Sequence, residues 1–230
     1  MQLRTLGLAL LASSVTLSAC DNRSDVTGLN ANNATIQFIN ATTGSLDVAQ
    51  GGTVATGNGA LSFGTTSLCI AADANNSNLA VRATGTSTAL PGFTPAFQAG
   101  GNYSVIAYPG TGGTTQFATL SNAFTAASGQ GGMRVFNAAG AGTSYDIYVS
   151  APGASSATSV ANNVGYGSGS SYFNVPAGST QQVRITNAGT QPVVLDAGSR
   201  TFTAGQNVTL VIAPPLTGSP SPRAFYVTGC

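Results

Sequence analysis

Four residue types are missing from this 230-residue sequence: it contains no histidine, lysine, glutamate or tryptophan. The absence of histidine removes the usual general base and the commonest metal ligand. Serine is frequent, but no Gly-x-Ser-x-Gly motif stands between a strand and a helix. We therefore expect a protein without enzymatic activity, without a cofactor and without a metal site.

Charge is also scarce, since charged residues make up only 6% of the chain, against about 25% in ordinary globular proteins. Proteins that bind nucleic acids neutralise phosphates with clustered lysines and arginines. Here the arginines are scattered along the chain and nearly balanced by aspartates. The sequence therefore excludes nucleic acid as a partner, and threonine, serine, asparagine and glutamine must supply the polar surface.

Long apolar runs are lacking outside the N-terminus, where Arg4 is followed by an apolar stretch over residues 6–15 and by small residues before a cysteine. This three-part layout is typical of a secretory signal peptide. The apolar stretch is shorter than the roughly 20 residues of a membrane-spanning helix. We predict a signal peptide over residues 1–19 and export of the rest.

The tetrapeptide Leu-Ser-Ala-Cys at residues 17–20 resembles the lipobox of bacterial lipoproteins. The resemblance implies that Cys20 is acylated and begins the mature protein; cleavage by an ordinary signal peptidase would instead leave Cys20 free. Each buried CH₂ of an acyl chain contributes about 0.8 kcal/mol, so three chains anchor a protein firmly in membrane lipid. Residues 20–33 are then a lipidated tether.

The expected location is therefore the bacterial cell envelope. We expect the outer membrane or the cell surface. The inner membrane stays an alternative, because Asp21 resembles the retention signal that follows the acylated cysteine in enteric bacteria.

The remaining chain contains the same turn and strand twice. An Ala-Gly-x-Asn turn at residues 99–102 opens an apolar strand that a proline closes, and residues 204–207 open a second one. Turn residues recur about every ten positions without a helical apolar period, which favours an all-β fold. We predict two tandem Ig-like antiparallel β-sandwich domains, 34–125 and 132–230, joined by a linker over residues 126–131.

The first predicted strand, at residues 35–41, alternates so that Ile36 and Phe38 point inward and the other face is exposed. Residues 133–137 repeat this strand in the second domain. Further strands of the first domain are predicted at residues 45–49, 66–71, 79–84, 94–98, 102–108 and 115–120.

The second half of the chain contains residues 172–179 (YFNVPAGS), residues 183–190 (VRITNAGT) and the strand after the second Ala-Gly-x-Asn turn. These three segments resemble the domain of unknown function 4397 family. The resemblance is strongest over residues 132–215, and residues 34–109 look like a more diverged copy. It implies Ig-like modules of exported bacterial proteins, often tandem and lipid-anchored, and no particular chemistry.

This sequence departs from the family pattern after the first strand of each copy. Members commonly carry His-Ala-Ser-Pro there, whereas this chain has Asn-Ala-Thr-Thr at residues 40–43 and Asn-Ala-Ala-Gly at residues 137–140. Any role of the family's histidine is therefore lost here.

Cys69 and Cys230 remain once Cys20 is acylated. In an exported protein an even number of cysteines favours a disulfide. Such a bridge would connect the C-terminus to the first domain and fix the angle between the domains. The alternative is two isolated thiols.

Tyr148 and Asp146 alternate with the apolar residues of the strand at 144–149, so both should lie on its outward face. An exposed aromatic ring beside a carboxylate suits contact with a sugar, which makes both residues candidate ligand contacts. The alternatives are a lone surface tyrosine and an aspartate that bonds a turn. Asp47 occupies the equivalent position in the first domain, so the two carboxylates lie in separate modules rather than in one glycosidase site.

Together these features predict a non-catalytic, lipid-anchored protein of the cell envelope that acts as a structural, adhesive or protein-interaction module. A surface module that binds carbohydrate or another small ligand is the alternative. The expected partners are membrane lipid, through Cys20, and an unidentified envelope protein or glycan.

Overall fold

A computed structural model of the chain describes residues 32–230, apart from residues 56, 58, 76, 216 and 217. The predicted signal peptide, the acylation site at Cys20 and most of the tether lie outside the described residues. Within the described part, no helix has the length and apolar character needed to cross a bilayer.

The described residues form an almost entirely β structure, which confirms the predicted fold class. The first half contains β1 (Asn33–Asn40), β2 (Leu46–Gln50), β3 (Thr53–Val54), β4 (Ile70–Asp73), β5 (Leu79–Ala83), β6 (Asn102–Pro109), a short 3-10 turn (Thr111–Gly113) and β7 (Thr115–Ser121). The second half contains β8 (Gln130–Asn137), β9 (Ser144–Ser150), β10 (Thr158–Gly165), β11 (Phe173–Pro176), β12 (Thr180–Asn187), β13 (Val193–Thr201), β14 (Asn207–Ala213) and β15 (Arg223–Thr228).

Each half of the chain is a sandwich of two sheets. The strand orders are β3-β2-β5 and β4-β1-β6-β7 in the first domain, and β10-β9-β12-β13 and β11-β8-β14-β15 in the second. Neighbouring strands are antiparallel except for β1 with β6 and β8 with β14, which run parallel. The two sandwich domains therefore share the arrangement of seven strands, including the place of the parallel pair, and the second domain adds β13 at the edge of its outer sheet.

The two domains also share their register. Thr35 pairs with Asn102 between β1 and β6, and Gly132 pairs with Asn207 between β8 and β14. A residue of one domain can therefore be matched to a residue of the other by counting from these pairs. The internal repeat expected from the sequence is present in the strand pairing itself.

The turns that open β6 and β14 contain glycines with positive φ, as the repeated Ala-Gly-x-Asn pattern predicts. The φ angle is +72° at Gly100 and +75° at Gly205. Residues with a Cβ rarely adopt this region, whereas glycine enters it freely. Each glycine thus lets the chain reverse directly before the strand that lies parallel to the first strand of its domain.

Each sandwich has its own apolar core between its two sheets. Ile36, Phe38 and Val48 are at most 3% exposed in the first domain, and Ile147 and Ile185 are fully buried in the second. Full burial of side chains of this size contributes about 1.5–3 kcal/mol each. The inward orientation predicted for Ile36 and Phe38 is confirmed.

A third apolar core, the interdomain seam, lies where the two domains face each other. It is formed by Ile39, Ala41, Ile106, Tyr108, Phe136, Ala138, Val211 and Val227, which come from the β1–β6 sheet of one domain and the β8–β14 sheet of the other. The four sheets therefore stack as four layers, and the inner strands of the two central layers, β1, β6, β8 and β14, are buried on both faces.

The seam changes the burial expected for β1. Its alternating pattern predicts one exposed face, but Ile39 is only 1% exposed because the second domain covers that face. At the same contact the ring of Tyr108 lies 5.4 Å from that of Phe136 and 5.6 Å from that of Tyr166. The expectation of a half-buried first strand is therefore wrong for the strands that form the seam.

Close packing at the seam accounts for Gly167. Its φ is +73°, and a Cβ at this position would lie 2.8 Å from the hydroxyl oxygen of Tyr108. Both the backbone conformation and the neighbouring ring thus require glycine here.

A disulfide joins Cys69 to Cys230 across the two domains, with the Cα atoms 6.0 Å apart. Cys69 lies directly before β4, and Cys230 is the last residue, beyond β15. Because 161 residues separate the two cysteines in sequence, the bridge closes almost the whole described chain into one loop.

Two of the predicted strands differ from the structure. The strand predicted at residues 66–71 begins only at Ile70, and residues 94–98 form no strand. Pro95 has no N–H to donate to a sheet, and Phe97 instead packs into the first core with 9% exposure. Strands β10, β13 and β15 were not predicted, because they lie at or near sheet edges with little regular apolar alternation.

The predicted linker, residues 126–131, lies between β7 and β8, and its last two residues already belong to β8. This connection is hydrogen-bonded to the second domain. The side chain of Asn207 donates to the carbonyl of Phe124 at 2.9 Å, and the Asn174 side chain accepts from the N–H of Ala127 at 2.9 Å. These bonds hold the path of the chain from one domain to the next.

Candidate functional site

A buried asparagine ends the first strand of each domain and organises the turn that follows. In the first domain Asn40 is fully buried. Its side-chain nitrogen donates to the carbonyls of Gly44 and Leu61, both at 2.7 Å. Its oxygen accepts from the N–H of Thr42 at 2.8 Å.

Asn137 makes the same set of bonds in the second domain. Its side-chain nitrogen donates to the carbonyls of Thr143 and Val164, at 3.2 and 3.0 Å. Its oxygen accepts from the N–H of Ala139 at 3.0 Å. Both asparagines therefore satisfy backbone groups in places that water does not reach, which is a structural role.

The matched aspartates also bond turns. Asp146 is only 8% exposed, and its two oxygens accept from the N–H groups of Asn163 at 2.7 Å and Gly189 at 2.8 Å. Asp47 likewise accepts from the N–H of Gly85 at 3.2 Å. The carboxylate of Asp146 therefore fixes two turns, and Asp146 is not among the residues that line the groove beside Tyr148.

Tyr148 is half-buried and lines a groove on the outer face of the sheet that contains β9, β12 and β13. The loop that follows β9 forms one wall, and the volume is about 320 Å³, at the small end of ligand pockets, which range from about 300 to 1,000 Å³. This Tyr148 groove is lined mainly by Tyr148, Ser155, Arg184, Thr186, Gln191 and Val193.

Arg184 lies directly opposite Tyr148 in the pairing of β12 with β9. Its Nη2 donates to the hydroxyl of Ser150 at 2.8 Å and, more weakly, to the carbonyl of Ala154 at 3.5 Å. Its Nε is buried and has no hydrogen-bond partner among the described residues. The guanidinium is thus held in place from one side while part of its donor capacity is unused.

Thr186 is the second groove residue with unmet hydrogen-bonding capacity. It is only 3% exposed, and its Oγ1 is buried without a hydrogen-bond partner in the part of the chain that the structure describes. It pairs with Val193 across β12 and β13. Most buried polar atoms in proteins are hydrogen-bonded, and one that is not costs about 1–3 kcal/mol.

The first domain lacks these side chains at the matching place. Two residues after the turn-bonding aspartate, Tyr148 faces Arg184 in the second domain, whereas Ala49 faces Ala80 in the first. Two alanines offer neither a ring nor a hydrogen-bond donor on their side chains. The Tyr148 groove is therefore a feature of the second domain and not of the shared framework.

A family model described as a domain of unknown function (DUF4397) matches residues 34–148 and 131–228. The chain belongs to the DUF4397 family. The two matches together span both sandwich domains, which confirms the tandem arrangement predicted from the sequence. No curated protein matches the chain.

The structure shows the role of the residue that ends the first strand of each DUF4397 domain. Asn40 and Asn137 stand at these positions, and both are fully buried. Their amide groups can donate and accept at once, so each meets several backbone groups of its turn. In this chain the position serves the fold of each DUF4397 domain.

The contact between the two DUF4397 domains contains a buried cation that sequence reasoning missed. Arg134 is only 3% exposed. It donates to the Thr209 hydroxyl at 2.9 Å, to the Ser121 carbonyl at 2.7 Å and to the Asn122 side chain at 2.5 Å. It also lies 4.6 Å from the centre of the Tyr172 ring. The burial lowers the pKa of the Arg134 guanidinium.

The sequence signal at Arg134 is its position between the apolar residues Met133 and Val135 of β8. An arginine in this pattern is predicted to lie on the exposed face of its strand. It is buried here because the neighbouring domain covers that face. Tyr172 continues the cluster by stacking on Phe124, with ring centres 5.0 Å apart and planes 18° apart. The cluster joins residues of both DUF4397 domains.

Two other features of the DUF4397 domains are less suited to a ligand. A groove of about 490 Å³ lies beside β10, but the hydroxyl of Ser170 there already accepts from the N–H of Val135 and donates to the carbonyl of Ser171. No described cluster of three or more aspartates and cysteines is placed to hold a metal. The Asp73 carboxylate accepts from the N–H of Asn75 at 2.8 Å, as in an Asx turn.

Proposed function

We propose that this protein is a non-catalytic, lipid-anchored component of the bacterial cell envelope whose tandem DUF4397 domains act as a structural, adhesive or protein-interaction module. The interdomain seam is the observation that carries this proposal. Two domains that share an apolar core and a disulfide hold their outer surfaces at a fixed spacing. A fixed spacing suits a module that positions or bridges other envelope components.

The bonds of the aspartates support a non-catalytic role. Asp47, Asp73 and Asp146 each accept from backbone N–H groups of nearby turns. Asp196 accepts from the N–H of Gly198 at 2.8 Å. Carboxylates engaged in this way fix turns, and general acid–base catalysis needs a carboxylate that can reach a substrate proton.

Acylation of Cys20 is tested by labelling growing cells with a palmitate analogue. We expect label on the wild-type protein and none on a Cys20→Ser variant, because the thiol accepts the first lipid. The double variant Cys69→Ser/Cys230→Ser is the control and should stay labelled. Label on Cys20→Ser, or none on the wild type, contradicts the anchor.

The membrane is tested by separating inner and outer membranes from the same cells. We propose the outer membrane or the cell surface. Recovery in the inner membrane that an Asp21→Ser substitution reverses would assign the protein to the inner membrane and show that Asp21 retains it.

The interaction role is tested by photo-cross-linking on living cells, because a chain without lysine offers no side-chain amine to ordinary cross-linkers. A photoreactive residue is placed at Val193, which is 49% exposed in the second domain, or at Val54, which is 52% exposed in the first. We expect a reproducible adduct with one envelope component at one of these positions. Neither position giving an adduct would contradict the role.

We propose as a second candidate function that the second domain binds a carbohydrate or another small ligand. The Tyr148 groove favours it, because Arg184 and Thr186 line the groove and each has a buried polar atom without a hydrogen-bond partner among the described residues. A glycan array probed with the full chain tests it. Binding that a Tyr148→Ala substitution abolishes is the expected result, and no binding to any glycan contradicts it.

A further inference from the structure

No hydrogen bond joins Arg184 to a carboxylate among the described residues. Asp196 lies opposite Arg184 in the pairing of β12 with β13. However, its oxygens accept from the side-chain nitrogen of Gln182 at 2.6 Å and from the N–H of Gly198 at 2.8 Å. The hydrogen bonds of Arg184 go to Ser150 and Ala154, which are both neutral. Arg184 therefore has no hydrogen-bonded carboxylate among the described residues, and the negative charge of Asp196 stays on the neighbouring strand, outside the groove lining.

A guanidinium in this state is suited to a carboxylate ligand. Its planar donors match the two oxygens of a carboxylate, and such charge-assisted bonds are about twice as strong as neutral ones. The bond from Arg184 to Ser150 fixes the orientation of the group before a ligand arrives. Less side-chain freedom is then lost on binding, which favours affinity.

Thr186 adds a second unused polar group in the same groove. Because its Oγ1 is buried without a partner, a ligand hydroxyl or carboxylate that reaches it supplies a bond that the protein does not make. A hydroxyl can both donate and accept. Thr186 therefore suits a ligand that carries several oxygen atoms.

The rest of the lining fits a sugar ring. Tyr148 provides an aromatic surface and Val193 an apolar one, while Ser155 and Gln191 provide hydroxyl and amide groups. A sugar has apolar C–H faces and a rim of hydroxyls, so it matches an aromatic ring bordered by neutral polar groups. The volume of about 320 Å³ corresponds to a small ligand rather than to a long chain.

We propose that the Tyr148 groove binds a sugar that carries a carboxylate, such as a uronic acid, with Arg184 receiving the carboxylate, Tyr148 stacking on the ring and Thr186 bonding an oxygen. This inference rests on the second candidate function. It adds the chemical class of the ligand and the residue that selects it.

The experiment is titration calorimetry with the full lipidated chain in detergent micelles. The probes are short galacturonate oligomers and galactose oligomers of the same length. We expect the acidic sugar to bind about tenfold more tightly or better, the difference that one charge-assisted bond contributes.

Three substitutions and a control locate the site. Arg184→Gln should remove the preference for the acidic sugar, and Tyr148→Ala should weaken binding of both sugars. Thr186→Val keeps the shape but removes a hydroxyl that has no protein partner. It should weaken binding while leaving the melting temperature unchanged or higher, which separates a ligand contact from a folding role. The control is Arg82→Gln, an arginine in β5 of the first domain, which should bind like wild type.

The outcomes separate this inference from the function on which it rests. Equal affinity for acidic and neutral sugars, lost in Tyr148→Ala, overturns the carboxylate and leaves a carbohydrate-binding groove. Binding that persists in Tyr148→Ala, or no binding of either sugar, overturns both proposals. An acidic preference that survives Arg184→Gln overturns the assignment of Arg184.

Discussion

The two DUF4397 domains share the pairing of seven strands, yet they contribute different side chains to the contact between them. Ile70 pairs with Ile36 in the first domain, and Phe173 pairs with Met133 in the second. Strands β4 and β11 are therefore equivalent, and so are the residues that directly precede them. It is Cys69 in the first domain and Tyr172 in the second.

The same comparison holds at the end of each domain. The N–H of Asn122 donates to the carbonyl of Asn102, and the N–H of Gly229 donates to the carbonyl of Asn207. Cys230 is therefore equivalent to Ala123, the neighbour of Phe124. One matched pair of positions, Cys69 and Cys230, forms a disulfide. At the other pair, Tyr172 and Ala123, the ring of Tyr172 stacks on Phe124, the neighbour of Ala123, beside the buried Arg134.

The difference between the two contacts indicates which positions of a duplicated domain tolerate substitution. Asn40 and Asn137, like Asp47 and Asp146, satisfy backbone groups of their own turns and are the same in both copies. Side chains that face the other domain or the solvent do not satisfy backbone groups of their own turns. There the two domains differ, and there both the seam and the Tyr148 groove arise.

The largest expected effect concerns the disulfide. We expect the double variant Cys69→Ser/Cys230→Ser to lose about 5 kcal/mol of unfolding free energy, because the chain-entropy model gives about this value for a loop closed over 161 residues. Urea unfolding of the variant and the oxidised wild type measures the difference. A loss below about 1 kcal/mol would mean that the noncovalent contacts alone hold the domains together.

The seam itself is tested with matched residues of the two domains. Phe136→Ala should cost about 3–5 kcal/mol and Ile39→Ala about 2–5 kcal/mol, because each leaves a cavity in a fully packed contact. Both side chains are at most 1% exposed. If the seam couples the two domains into one cooperative unit, each variant has a single unfolding transition, shifted from that of the wild type. Circular dichroism and tyrosine fluorescence monitor this transition. Two separate transitions, with only one of them shifted, would show that the domains unfold independently.

The repeated asparagines test the shared framework. Asn137→Ala and Asn40→Ala should each cost about 1–3 kcal/mol, since each leaves buried backbone groups without partners. The two losses should be similar because the two side chains make equivalent bonds. Thermal unfolding of both variants measures them. A loss confined to one variant would contradict the structural equivalence of the two turns.

The smallest expected effect is the pH dependence that Tyr226 of the second domain contributes. Burial raises the pKa of Tyr226 from 10.0 to about 12, with Arg200 lowering it and Asp196 raising it further. A phenol with a raised pKa in the folded protein stabilises the fold below pH 10, and that stability is lost as the pH rises towards 12. We expect about 1–2 kcal/mol of this loss to disappear in Tyr226→Phe. Urea unfolding of the wild type and of Tyr226→Phe at pH 9 and pH 11 measures the difference. An equal change in unfolding free energy between the two pH values in both proteins would exclude the effect.

Much of the framework could be predicted from the sequence because it depends on local chemistry. The glycines at residues 100 and 205 mark turns that only glycine makes easily, and the strands after them alternate or run apolar. Family membership followed from short runs of residues in the second domain. The outward face of Tyr148 followed from the alternation of β9.

The candidate site could be predicted only in part. The sequence placed Tyr148 and Asp146 together, but burial and two backbone bonds hold Asp146 in its turns. Arg184 and Thr186 became groove residues because β12 pairs with β9 in one particular register. Register between distant strands is set by the whole sandwich, so neither residue could be assigned to the groove beforehand.

The sequence by itself determined the β character of the chain, its duplication and its turns, because each depends on residues that are neighbours along the chain. Only the tertiary structure decided which faces are covered. Ile39 of the first domain and Arg134 of the second lie on faces that a single domain would leave open to water, and each is buried by the other domain. The physical reason is that burial depends on what packs against a surface, and that information comes from distant parts of the chain.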